Sequence, residues 1–131
     1  MSRETGLENG RLYTPEEKEK RIKRELNRLK KIFADLPEDV KRVADGLIQE
    51  AAFMRVTLEE TRAVIDHEGI IERFEQGAQR FLREHPATKV YASFVNRYSV
   101  VVKQLIDLLP ATEKGKTEAD ELIEFVKSRA R

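Results

Sequence analysis

Residues 83–110, REHPATKVYASFVNRYSVVVKQLIDLLP, constrain the fold more than any other stretch of this chain. Tyr91, Phe94, Tyr98, Val101, Leu105 and Leu108 recur at alternating spacings of three and four, the rhythm that lays one continuous apolar stripe along an α-helix. Val95, Val102, Ile106 and Leu109 add a second apolar edge, so the face is wider than the ~100° arc that a surface helix usually buries. Something beyond one neighbouring helix has to cover that edge. Either this is a central helix inside a small helical domain, or it is an oligomerisation helix shared between copies of the chain. Pro86 suits the first turn, where its missing N–H costs nothing, and Pro110 closes the segment.

The preceding sequence also builds helices. Thr14, Pro15 and Glu17 supply an N-cap, a proline at the first helical position and a capping-box acid three residues after the cap. The helix that follows places Ile22, Leu26, Leu29 and Phe33 on one face and should end near Ala34, because Leu36 precedes Pro37 and is biased away from helical dihedrals. From Glu38, the residues Val40, Ala44, Leu47, Ala51, Met54, Leu58 and Ile65 continue the same rhythm, interrupted by Thr61. Thr57 and Glu60 form a second capping-box pair, so this stretch fits one long helix or two helices broken near Val56. Gly69 stands where a helix C-terminal glycine in the left-handed conformation is expected.

Between Gly69 and Pro86 the pattern changes. A β-hairpin around Gly77 is the favoured reading, with Ile71, Arg73 and Glu75 on one face of its first strand and Glu72, Phe74 and Gln76 on the other. A helix using Ile70, Phe74, Phe81 and Leu82 competes with it. The expected fold is mainly α: a helical domain with a long central oligomerisation helix and a short β-hairpin. Residues 1–13 read as a flexible lead and 14–110 as one helical domain that includes the oligomerisation helix. Residues 111–131 read as a polar linker and a C-terminal tail. In that tail Leu122, Ile123, Phe125 and Val126 form a short apolar set, and Leu122, Phe125 and Val126 share one helical face. The set fits a docking helix, a partner-binding peptide, or a chain end packed on its own domain.

A length of 131 residues fits one domain, and the absence of cysteine rules out disulfides and thiolate metal sites. The two histidines, His67 and His85, are too few and too far apart for a zinc site, so no metal and no cofactor are expected. His85, directly before Pro86, reads as a capping or turn residue. The chain has no phosphate-binding G-x-x-x-x-G-K-[ST] loop, no G-x-G-x-x-G and no G-x-S-x-G elbow, so an enzyme is not expected. No apolar run approaches the ~18 residues of a membrane span and no signal-peptide pattern opens the chain, so the protein should stay where it is made.

The formal net charge of +1 conceals segregated blocks. Residues 18–31 hold eight bases against two acids, and residues 38–71 hold eight acids against four bases. Such segregation permits a basic patch on a nearly neutral protein, and a patch suffices to attract a polyanion. Lys20, Arg21, Lys23, Arg24, Arg28, Lys30 and Lys31 are the candidate phosphate contacts, with a solvated helix face as the plain alternative. Arg73, Arg80 and Arg83 around the hairpin form a second, weaker candidate patch. Contacts of this kind are made to the nucleic-acid backbone and depend strongly on salt.

Three stretches carry a family resemblance: GLIQEAAFMRVTLEE at 46–60, FEQGAQRFLREHPA at 74–87 and YASFVNRYSVVVKQLIDLLP at 91–110. Over residues 26–110 the chain resembles the small subunit of a tailed-bacteriophage terminase, the DNA-packaging initiator. In that family a helical segment leads through a glycine into a short connector ending in an X-Pro pair, then a long helix, and Gly69, His85 and Pro86 match that order. The resemblance implies a homo-oligomeric ring in the cytoplasm of the bacterial host. The ring would bind double-stranded viral DNA and hand it to the large subunit, which holds the ATPase and nuclease. On this reading Leu122, Ile123, Phe125 and Val126 would dock the large subunit. Two other readings fit the residues: a helical transcription regulator whose helix-turn-helix bends at Val56, and a protein-interaction adaptor that binds no DNA.

Overall fold

The computed structural model describes residues 11–110, so the lead before Arg11 and the tail residues Leu122, Ile123, Phe125 and Val126 lie outside the described residues. Within them the elements run α1 (Pro15–Ile32), α2 (Glu38–Glu68), β1 (Ile71–Gln76), β2 (Gln79–Glu84) and α3 (Pro86–Asp107). The protein is mainly helical with one small antiparallel hairpin.

α1 starts as its capping signal dictates. The Thr14 hydroxyl accepts from the Glu17 N–H at 3.1 Å, Pro15 occupies the first turn, and Lys30 and Lys31 lie in the last turn, where the helix dipole favours cations. Its apolar face delivers Leu29 to the core, and Phe33 and Leu36 extend that contact through the turn before Pro37.

α2 is continuous for 31 residues, about 46 Å at 1.5 Å per residue. The expected break near Val56 does not occur. Val56 and Thr57 are both buried inside the helix, and Thr61 turns its hydroxyl back onto the Thr57 carbonyl at 2.9 Å. Glu60 is diverted from capping: its carboxylate accepts from the backbone N–H groups of Leu12 and Tyr13, at 3.3 and 3.1 Å, and from Lys18 Nζ at 3.1 Å. Burial of Val56 outweighs the local capping signal, and the helix-turn-helix proposed for that point is absent. Leu12 and Tyr13, read from sequence as part of a flexible lead, are tied to α2 by the same carboxylate.

At the end of α2 Gly69 has φ 85 and ψ 167, so the positive φ is as expected but the residue is extended rather than left-handed helical. The chain must leave α2 directly into a strand, and a left-handed helical ψ would curl it back. The hairpin then forms through Gly77, whose φ of 59 supplies the positive angle that two-residue turns need at their first position. Its register places Phe74 opposite Phe81, Glu72 opposite Arg83 and Glu75 opposite Arg80. The two phenylalanine rings lie 5.0 Å apart, and the Arg83 guanidinium stacks 4.1 Å from the Phe74 ring while pairing with Glu72. These cross-strand pairs favour the hairpin over the competing helix.

His85 joins three elements. Its N–H donates to the Ile70 carbonyl at 2.8 Å, closing the hairpin base. Its Nδ1 accepts from the Ala87 N–H at 3.1 Å, capping α3, and its Nε2 lies 3.0 Å from Glu68 Oε1 at the end of α2. With Nδ1 accepting, the proton of the neutral ring sits on Nε2 and is donated to Glu68. The expected capping role of His85 is met.

α1 and α3 both run antiparallel to α2, which packs against each of them. One core gathers Leu29, Phe33 and Leu36 with Ala44, Ile48, Ala51 and Ala52 of α2 and Leu105 and Leu109 of the α3 end. Alanines at 44, 51 and 52 are fully buried, which lets the helices approach closely along the middle of α2.

Candidate nucleic-acid and assembly surfaces

α1 presents its core residues on one side, and helical spacing brings Lys20, Lys23, Arg24, Lys30 and Lys31 together on the other. All five are exposed, and none pairs with a carboxylate of the described residues. They extend over about 16 Å of helix. The other two candidate contacts differ. Arg21 pairs with Glu17 at 3.2 Å and stacks 4.2 Å from the Tyr13 ring. Arg28 is held by Glu25 through two hydrogen bonds of 2.8 and 2.7 Å, which raise the guanidinium pKa further.

Arg28 belongs to a polar cluster that the sequence did not reveal. Tyr98 of α3 sits near both Arg28 of α1 and Arg55 of α2, and it is the first influence that raises the Arg55 pKa. Glu59, 3.6 Å from Arg55, acts on both guanidinium groups. The three helices thus bring polar groups together beside the apolar core. A tyrosine at a stripe position was the available signal, since its hydroxyl needs a partner when the ring is buried.

The hairpin does not assemble its three arginines. Arg73 and Arg80 share one face, whereas Arg83 lies on the other, packed on Phe74. Arg80 is 3.6 Å from Glu75 and Arg83 pairs with Glu72, which leaves Arg73 alone of the three without a carboxylate partner among the described residues.

The α3 stripe is spent largely within the chain. Leu105 is 1% exposed, Leu109 is buried, and Tyr98, Val101 and Leu108 pack on the core. Phe94 is half-buried with its ring 6.3 Å from that of Phe53 on α2, and Tyr91 is half-buried. The second edge divides: Leu109 is covered, Val102 and Ile106 are half-buried, and Val95 is exposed. Further apolar exposure falls where the spacing argument did not look, at Val90, Val100 and Phe53 and at Ile70, Ile71, Phe81 and Leu82 around the hairpin. The hairpin residues carried a signal, since a lone two-stranded hairpin cannot bury both of its faces.

Among the described residues there is no group of three or more His, Asp or Glu side chains arranged to hold a metal, and no helix is long and apolar enough to cross a membrane. Comparison with protein-family models, with curated proteins and with solved structures gave no match.

Proposed function

We propose that this chain is a non-catalytic, DNA-binding and self-assembling subunit of the kind that initiates genome packaging in tailed phages, a terminase small subunit. The observation that carries the reading is the division of its surface. One helix offers five exposed cations with no carboxylate partner among the described residues, and another helix, packed elsewhere on α2, leaves an apolar flank only half covered, with Val95 exposed and Val102 and Ile106 half-buried. Lys20, Lys23, Arg24, Lys30 and Lys31 contact phosphates of double-stranded DNA, with Arg73 as an outlying contact. The flank of α3 bearing Val95, Val102 and Ile106 meets a second copy of the chain. Repetition of the basic face around a closed assembly multiplies weak contacts into avidity. The resemblance over residues 26–110 supplies the packaging context and the large ATPase and nuclease subunit as partner.

Light scattering coupled to size exclusion, followed by duplex-DNA binding across a salt series, tests the reading. A closed assembly of many copies is expected, with log K falling against log salt by about 0.9 for each phosphate neutralised. A monomer under all conditions removes the assembly role. Salt-independent or absent DNA binding leaves the protein as an interaction adaptor.

A further inference from the structure

The α2–α3 groove is a second surface, on the opposite flank of α3 from Val95. A cavity of about 630 Å³ opens there, lined by Phe53 and Met54 of α2 and by Phe94, Val100 and Val101 of α3. Phe53 and Val100 are 43% and 56% exposed, so the groove is apolar and uncovered by the described residues. Its charge is one-sided. Helical spacing puts Lys89, Arg97 and Lys103 on the same flank, and α3 has no carboxylate before Asp107, with Glu50 of α2 the one acid at the rim.

The chain carries a segment of matching chemistry beyond Pro110. Leu122, Phe125 and Val126 have the spacing of groove-binding helix anchors, and Glu118, Asp120, Glu121 and Glu124 surround them with no base until Lys127. The length fits as well. Val100 lies about 12 Å along the helix axis from Leu108, and the seven residues 111–117 that precede the docking segment reach up to about 25 Å when extended. A tether of that size holds the segment at millimolar effective concentration over its own groove, which favours it over a free partner.

We propose that residues 118–126 dock as an amphipathic helix in the groove of their own chain, with Leu122 and Phe125 against Phe53, Phe94 and Val100, and their carboxylates toward Arg97 and Lys103. The inference does not depend on DNA binding or on the assembly state.

The absence of cysteine gives a clean test in the full chain. Val100→Cys combined with Glu121→Cys is oxidised under mild conditions beside a control that combines Val43→Cys with Glu121→Cys. Val43 is 69% exposed, and it neighbours the Ala44 that packs in one core with Leu109 near the start of the tether, so a wandering tail meets it readily. The docked tail gives an intrachain disulfide at least tenfold faster for the Val100 pair, and adding Leu122→Asp and Phe125→Asp returns it to the control rate. Equal rates for the two pairs overturn the inference. So does a disulfide formed mainly between chains, which would seat the tail on a neighbouring copy.

Discussion

Single residues hold this fold where the chain changes direction or where polarity is buried. Thr57 hides its hydroxyl in the middle of α2 without a hydrogen-bond partner among the described residues. Thr57→Val keeps the shape and removes the unsatisfied group, so urea unfolding should show a gain of about 1 kcal/mol. Gly69 is a contrasting case, because a Cβ there meets only the Ile71 carbonyl oxygen, 4.0 Å away, and the penalty comes from φ 85 rather than from crowding. Gly69→Ala should lose about 1–3 kcal/mol by the same measurement. Burial, the largest influence on Tyr13, raises its phenol above the ordinary 10.0. The folded state therefore holds that proton more tightly than the unfolded chain. Stability is full below pH 10.0 and falls as pH climbs through the folded value. Tyr13→Phe should flatten this alkaline loss in thermal melts followed from pH 9 upward.

At the scale of elements, α1 faces two ways. Its inner residues join the core, and its outer face divides into exposed lysines and arginine on one side and guanidinium groups locked by glutamates on the other. Replacing Lys20, Lys23, Arg24 and Lys31 together by glutamine should lower the magnitude of the salt slope of DNA binding by roughly 0.9 per lost phosphate contact while leaving the melting temperature nearly unchanged. Arg28→Gln should do the reverse. It breaks the Glu25 pair near Tyr98 and costs stability, with little effect on the salt slope. The basic run of α1 was legible in the sequence as a set of seven, but which members stay available was not. That depends on Glu17, Glu25 and Tyr13, which reach Arg21 and Arg28 only once the helix and the preceding residues are in place. In α2 the Thr57 and Glu60 signal was equally legible and misled, because Glu60 serves Leu12, Tyr13 and Lys18, all distant in sequence.

Across the whole molecule, α2 lies between the other two helices and decides what α3 has left to offer. Leu105 is enclosed by the core, so Leu105→Asp should unfold the chain, as seen by lost helical circular dichroism. Val95 is 37% exposed, so Val95→Asp should keep the helical signal and lower the solution mass of an assembly that uses this flank. Periodicity and caps determined by themselves that the chain would be mainly helical, with a change of pattern between Gly69 and Pro86, since N-caps, prolines and glycines act through local dihedrals and hydrogen bonds. Even the ends of α1 and α3 follow from Thr14, Pro15, His85 and Pro86. Tertiary structure alone decided that α2 runs through Val56, that Tyr98 joins Arg28 to Arg55, and which part of the wide α3 face remains uncovered. Those outcomes depend on which surfaces meet across long sequence separations, and helical spacing gives the direction of a side chain without saying what stands opposite it.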